Sequence, residues 1–246
     1  MQAGADVLLA ERDDGARLVG GVTAHYGRAF DSVSSVFGDG RIGAHGHGFG
    51  ATLTWHDPSG FYADAQAKFS WFNSDLTSAT LGVLARGVRG DGQALGLAIG
   101  RRFDPGGPLA LTPQAQVTWG RVAFGRFADR MGVDVSRFRG DSLTTRAGLS
   151  VDYQKVWNGA DGVRRAQAYG VANVSYDWLG GPETNVAGAV IRSRDDRLWG
   201  GVGFGGSLAW GDGDWTLYSE VTAETSLARF GRSYRFRGSA GFRGRF

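Results

Sequence analysis

The chain has 246 residues, 42 of them glycine and five proline, no cysteine, and a mean hydropathy of −0.22. Eight Trp, seven Tyr and fifteen Phe, without a collagen triplet or a proline-rich bias, exclude a fibrous or disordered chain. Absent thiols exclude disulfides and thiolate metal sites. No apolar run approaches the roughly 18 residues a membrane helix needs, which leaves a membrane barrel open because only alternate strand residues meet lipid. The net charge of +3 comes from 27 basic residues, all arginine except Lys68 and Lys155, scattered along the chain and not gathered as a nucleic-acid binder would gather them. No nucleic-acid partner is expected. Met1-Gln2-Ala3-Gly4 lacks the basic and apolar regions of a signal peptide, so an export signal is expected upstream.

Taken in order, eleven strands are expected: residues 2–10, 17–27, 41–55, 60–72, 92–103, 108–125, 141–156, 165–178, 195–210, 214–226 and 233–246. The clearest is 60–72, where Phe61, Ala63, Ala65, Ala67, Phe69 and Trp71 alternate with Tyr62, Asp64, Gln66, Lys68 and Ser70. No helix sorts residues this way. The stretch 142–153 and the C-terminal strand alternate likewise. Thr184 to Arg192 is a rival twelfth strand, ranked second because it would put the three longest loops in the periplasm. No composition shift divides the chain, so one domain, 1–246, is expected.

Short connections such as His56-Asp57-Pro58-Ser59 and Gly211-Asp212-Gly213 alternate with long ones near 28–40, 73–91, 126–140 and 179–194. Outer-membrane barrels have short periplasmic turns and longer outer loops, which assigns a side to each connection. On the expected lipid face, Trp55, Phe61, Phe103, Tyr153, Trp210, Trp215 and Phe246 fall at the periplasmic ends, and Tyr26, Trp71, Trp119, Trp178 and Tyr234 at the outer ends. Two girdles are what amphipathic rings seek at two interfaces. Ten residues from Phe61 to Trp71 span roughly 33 Å of strand, or about 23 Å along the normal at a 45° tilt, which fits the apolar band. The reading is an all-β transmembrane antiparallel barrel, preferred over a soluble sandwich of shorter strands.

The alternation points Asp64, Lys68, Arg146, Asp152, Glu220, Glu224, Arg235, Arg237, Arg243 and Arg245 inward as a lumen lining. Folding the last two strands about 227–232 sets Glu224 beside Arg235 and Glu220 diagonal to Arg237, so a rigidifying ion-pair lattice is expected. Gly201-Val202-Gly203-Phe204-Gly205-Gly206 matches a dinucleotide fingerprint, but no helix follows it. These lumen-facing glycines are expected instead to keep the bore open. His45-Gly46-His47 offers two imidazoles where a structural zinc needs four ligands, so neither metal nor cofactor is expected. A barrel hydrolase would need His paired with Asp or Ser at the outer rim; His25, His45 and His47 find no identifiable partner, so no enzyme is expected.

The chain resembles the C-terminal translocator (β) domain of classical, type Va bacterial autotransporters, nearly end to end. The resemblance is carried by Gln2-Ala3-Gly4-Ala5-Asp6, Gly60-Phe61-Tyr62-Ala63-Asp64, Pro113-Gln114-Ala115-Gln116, Asp141-Ser142-Leu143 with Arg146-Ala147-Gly148-Leu149, Thr216-Leu217-Tyr218-Ser219-Glu220-Val221, and Gly241-Phe242-Arg243-Gly244-Arg245-Phe246. It implies a twelve-stranded barrel whose first strand and pore helix lie upstream of this chain. It also implies secretion of an N-terminal passenger across the outer membrane of a Gram-negative cell, by a monomer inserted in outer-membrane lipid. The lumenal wall would grip the pore helix, and Phe242 with Phe246 would form the signature read by the barrel-assembly machinery, helped by periplasmic chaperones. No ATP site is visible, so the resemblance implies passenger folding as the driving force. Ala98 stands where the family often carries a lumenal acid, which puts self-cleavage by that route in doubt. A passive porin or structural barrel is the alternative.

Overall fold

The computed structural model describes residues 1–35, 38–129, 132, 134–159, 162–179, 181, 183–186, 188–192 and 196–244. The strands are β1 (Gln2–Glu11), β2 (Arg17–Ser35), β3 (Gly38–His56), β4 (Phe61–Ser78), β5 (Gly82–Arg101), β6 (Leu109–Phe124), β7 (Phe127–Ala128), β8 (Asp134–Gly159), β9 (Gly162–Asp177), β10 (Glu183–Val186), β11 (Ala189–Arg192), β12 (Leu198–Trp210), β13 (Trp215–Ser226) and β14 (Tyr234–Gly244). Eleven of them form one continuous antiparallel sheet in the order β1-β2-β3-β4-β5-β6-β8-β9-β12-β13-β14. All eleven strands expected from periodicity are present. Among the described residues no helix occurs, and β1 and β14 are not paired with each other.

Register fixes the faces, because opposed residues share one side of the sheet. Tyr26, His47, Trp71 and Asp91 lie in one row, and Phe49, Phe69 and Gln93 in the next. This convex face is apolar along most of its length, with Phe49, Leu95, Leu97, Val202 and Phe204 solvent-exposed. The opposite face is concave, since side chains of strands that are not neighbours meet on it: Tyr62 of β4 reaches Gln114 of β6, and Tyr169 of β9 reaches Glu220 of β13. A convex surface of exposed large apolar groups on a curled sheet is a lipid-facing surface, where water is absent and alternation inverts.

Small residues make the curl possible. A Cβ on Gly100 would lie 2.6 Å from the Tyr62 ring, one on Gly205 2.5 Å from the Tyr169 ring, and one on Gly90 2.5 Å from Phe124. In each case a ring lies flat over the neighbouring strand in the space of a missing side chain. The expectation that Gly201, Gly203 and Gly205 hold the bore open is therefore corrected. Their vacancies are filled by Glu224, by Val171 with Thr222, and by Tyr169.

The expected long loops are also corrected. β2 and β3 stay paired from Arg17↔His56 to Ser35↔Gly38, and β4 and β5 up to Ser78↔Gly82. The segments 28–40 and 73–91 are thus mostly hairpin ladder. Beyond the bilayer both faces meet water, so the period-two signal fades while backbone pairing continues. Thr184 to Arg192 is not a twelfth spanning strand. It is split into β10 and β11, a short hairpin whose β10 pairs the outer part of β8. At the other end the turns are tight, with Gly60 at φ 84° and Gly211, Asp212 and Gly213 at φ 62°, 57° and 96°.

Candidate functional site: the concave wall

The register puts Asp64, Lys68, Arg146, Asp152, Glu220, Glu224, Arg235 and Arg237 on the concave face, each in step with Tyr62, Gln114, Tyr169 or their row partners. Glu224 stands directly opposite Arg235 and Thr222 opposite Arg237, so Glu220 is diagonal to Arg237 as the hairpin reflection requires. Arg243 follows on the same face; Arg245 lies outside the described residues.

Hydrogen bonds, not ion pairs, organise these charges. Asp64 accepts from Thr54 at 2.6 Å and Gln66 at 2.8 Å. Asp152, nearly buried, accepts from Ser150 and Gln167, both at 2.9 Å. Tyr169 donates to Glu220 at 2.5 Å by crossing over Gly205, and Tyr62 donates to Gln114 at 3.2 Å by crossing over Gly100. Arg146, Asp152, Gln114, Gln167, Tyr169 and Glu220 together border a polar recess of about 320 Å³ on this face. Arg235 turns away from Glu224 and lays its guanidinium 3.8 Å from the centroid of the Trp199 ring. Ion pairs among the described residues sit at strand ends and rims: Arg17–Glu11, Arg102–Asp104, Arg121–Asp141, Arg139–Asp141 and Arg229–Asp196 are examples. The expected lumenal ion-pair lattice is corrected to a lattice of neutral donors around isolated carboxylates. A neutral partner satisfies a carboxylate without the entropy of pinning a second long charged side chain.

Sequence reading missed Tyr62, Gln114, Gln167, Tyr169 and Trp199 as members of this wall. Their inward parity was visible, and the glycine directly opposite each tyrosine on the next strand was the usable signal.

The girdle residues are on the convex face. Trp55 packs against Phe61 at 5.7 Å between centroids, and Trp71 against Phe49 at 5.6 Å. Trp178 meets Tyr176 edge-on at 4.9 Å and donates to Thr145 at 3.0 Å. Trp119 carries Arg121 over its ring. Trp210 and Trp215 both pack on Phe242, Trp215 stacked at 5.4 Å. Phe242 is thus tied into the lower ring cluster, while Phe246 lies outside the described residues. His45 and His47 face outward above Phe49. His25 faces inward, its Nε2 2.9 Å from the Ser70 hydroxyl and its Nδ1 buried with no partner.

At the outer rim, Asp196 gathers the β13–β14 tip. Arg229 donates to it at 2.9 Å and Ser233 at 3.4 Å, while its own carbonyl accepts from the Trp199 indole at 2.6 Å. The Ser226 hydroxyl, and after it Arg229 and Ser233, hold the Asp196 carboxyl below the usual range against the opposing effect of desolvation.

A family model, the autotransporter β-domain, matches residues 1–222. The chain is 40% identical over 247 residues to the adhesin BmaC autotransporter of Brucella suis, covering 100% of this chain and 7% of that protein. It is 30% identical over 194 residues to the pertactin autotransporter of Bordetella parapertussis, covering 76% of this chain and 21% of that protein. The chain therefore spans a small fraction of the length of these curated relatives. Among solved structures it is similar to the transport unit of the Escherichia coli autotransporter AIDA-I, with a TM-score of 0.81 at 17% identity, covering 100% of this chain and 81% of that one. The β-domain of the Bordetella autotransporter BrkA gives 0.71 at 20% identity, covering 100% and 89%. The apolar convex face, the polar concave wall and these matches agree: the chain belongs to the autotransporter β-domain family, the outer-membrane translocation units of type V secretion in Gram-negative bacteria.

Proposed function

We propose that the concave wall is the surface along which an attached N-terminal passenger crosses the outer membrane. The observation that carries this reading is that Asp64, Asp152 and Glu220 each accept hydrogen bonds from neutral side chains of the wall, which makes it a wetted polar surface to which an unfolded chain would adhere little. The same wall holds a pore helix when transit is over. Assembly proceeds with the barrel-assembly machinery and periplasmic chaperones, reading Phe242 and Phe246, and the unit works as a monomer without cofactor. Exposed ladder edges are costly in lipid, so β1 and β14 are bridged by a further strand. Tyr218 lies over Gly241 of β14 as Tyr62 lies over Gly100. Catalysis is no part of the proposal, since His25 has no acid on Nδ1 to orient it toward Ser70.

The test narrows the wall. In the full-length protein, Ala98→Trp with Gln116→Trp should cut passenger exposure at the cell surface, read by protease shaving, while the barrel keeps its heat-modifiable gel migration. Full display through a folded, narrowed barrel would refute the concave route. A protein that conducts ions but displays nothing would favour a passive porin.

A further inference from the structure

The convex face is not apolar to its outer end. On each strand from β2 to β8 that crosses the sheet, the apolar run stops at a definite residue and charged groups take over. On β2, Tyr26 is followed outward by Arg28; on β6, Trp119 by Arg121; on β8, Leu143 by Asp141 and Arg139; on β5, Leu95 by Gln93, Asp91 and Arg89. β3 contributes His47, His45 and, higher, Arg41; β4 contributes Asn73 and Asp75. Parity places all of them on the lipid side of the wall, not in the bore. The row Arg28, His45, Asn73 and Arg89 is continuous across four strands.

The acids on this surface are largely engaged. Asp75 accepts the backbone N–H of Gly87 at 2.8 Å. Asp141 accepts from Arg121 at 2.8 Å and from Arg139 at 2.7 Å, so one carboxylate serves two guanidinium groups. Asp91 alone faces outward without such a bond among the described residues. Arg28, Arg41 and Arg89 form no ion pair among the described residues, and all three are exposed. Two of the arginines are held in place: Arg28 receives its orientation from the Tyr26 hydroxyl at 2.9 Å, and Arg121 lies 5.6 Å from the centroid of Trp119. Phe30, 84% exposed one outward step beyond Arg28, marks this level as interfacial and not fully aqueous. On β9, β12 and β14 the corresponding outward positions are Trp178, Leu198 and Tyr234, with no cation.

We infer that the outward arginines above the upper girdle, centred on Arg28 and Arg89, form a docking surface for the phosphate groups of the phosphorylated glycolipid in the outer leaflet. Guanidinium groups fit phosphate bidentately, they stand at the depth where headgroup phosphates lie, and basic residues at a membrane surface draw anionic lipid. The glycolipid's acyl chains would pack on Phe49, Phe69 and Leu95 directly below. The surface covers β2 to β8, whereas the corresponding strand positions on β9, β12 and β14 carry no cation and Arg229 at the outer tip is already paired with Asp196, so bound glycolipid is concentrated on the β2–β8 flank.

The test extracts the full-length protein from outer membranes in mild detergent and counts retained glycolipid by native mass spectrometry. Arg28→Gln with Arg89→Gln should lower retention about tenfold or more, with heat-modifiable migration unchanged, and Arg28→Lys with Arg89→Lys should restore most of it. Arg89→Gln alone, at an exposed side chain with no ion pair among the described residues, guards against a folding defect in the pair and should show a smaller loss. Equal retention by the Gln variants overturns the inference, as does equal retention of a glycolipid whose phosphates have been removed.

Discussion

The two flanks of the sheet answer the bilayer differently. β2, β3, β4 and β5 are 19, 19, 18 and 20 residues long, whereas β12, β13 and β14 are 13, 12 and 11. A strand tilted near 45° needs only about 9 to 11 residues to cross the hydrocarbon. The C-terminal flank is built close to that minimum, and its ring clusters, Trp210 and Trp215 on Phe242 below and Tyr234 on Phe236 above, sit at its two ends. The N-terminal flank carries strands about half again as long, and the excess is hairpin that stands outside the lipid. Length on one flank is set by the membrane; on the other it is free to be used for something else.

The largest expected effect separates the flanks by deletion. Removing Val202 and Gly203 from β12 together with their partners Thr222 and Ala223 from β13 keeps parity and pairing. It drops both strands to the edge of what spans and shifts them against β9 and β14. No heat-modifiable folded species should be recovered. Replacing residues 30–43 by an Asn-Gly turn removes more chain from the β2–β3 hairpin, yet the folded species should persist, with a urea midpoint lowered by less than about 1 kcal/mol equivalent. If the second deletion also abolishes folding, the excess length is structural and the comparison fails.

A second contrast uses one residue type. Gly205→Ala drives a methyl into the Tyr169 ring, from 2.5 Å, and should cost about 2 kcal/mol through overpacking, read in urea unfolding. Gly27→Ala, in the extramembrane part of β2, meets nothing within 4 Å and should be neutral or slightly stabilising, since alanine is less flexible in the unfolded chain. Equal costs would mean that glycine serves backbone curvature everywhere and not the seating of rings. Smaller still, Tyr169→Phe removes a donor to a carboxylate and should cost about 2 kcal/mol at most, more than Tyr62→Phe, whose amide acceptor supports a neutral bond worth about 1. The same unfolding measurement ranks them.

How much of this was legible in the sequence follows from what the lipid enforces. Within the bilayer one face meets hydrocarbon and the other water, so a slip of one residue would invert every side chain. That constraint made the eleven strands, the convex facing of the aromatics from Trp55 to Trp215 and the pairing of Glu224 opposite Arg235 readable from alternation. Beyond the bilayer it vanishes. The continuation of β2 into Ser35, and the division of Thr184 to Arg192 into a hairpin, left no period to read. Long side chains were illegible for another reason. Register places the Cα of Arg235 opposite Glu224, but its flexible stem lets the guanidinium choose among neighbours, and the Trp199 face, on the strand beyond, wins it. Alternation likewise gave Tyr169 its direction without showing that Gly205 would let it cross a strand.

The smallest effect concerns the outer tip of the short flank, where Asp196 ties the 226–233 segment to the entry of β12. Its carboxyl titrates below the ordinary value of 3.8, held there by Ser226, Arg229 and Ser233. A depressed folded value means the contribution is complete above the unfolded value and disappears only as pH falls through the lower, folded one. From pH 7 to pH 5 the amide protection factors in 226–233, taken relative to the intrinsic exchange rate at each pH, should therefore stay constant, with loosening confined to pH below 3.8. Asp196→Asn should abolish this acid step and raise exchange in the tip at neutral pH, because a neutral amide accepts more weakly from Arg229 than a carboxylate does. The spanning parts of β12 to β14 should remain protected in both proteins, since their ladder is set by lipid and not by the rim. Protection that falls along the whole of β13 when Asp196 is neutralised would show that the short flank, for all its fit to the bilayer, depends on its outer knot to stay paired.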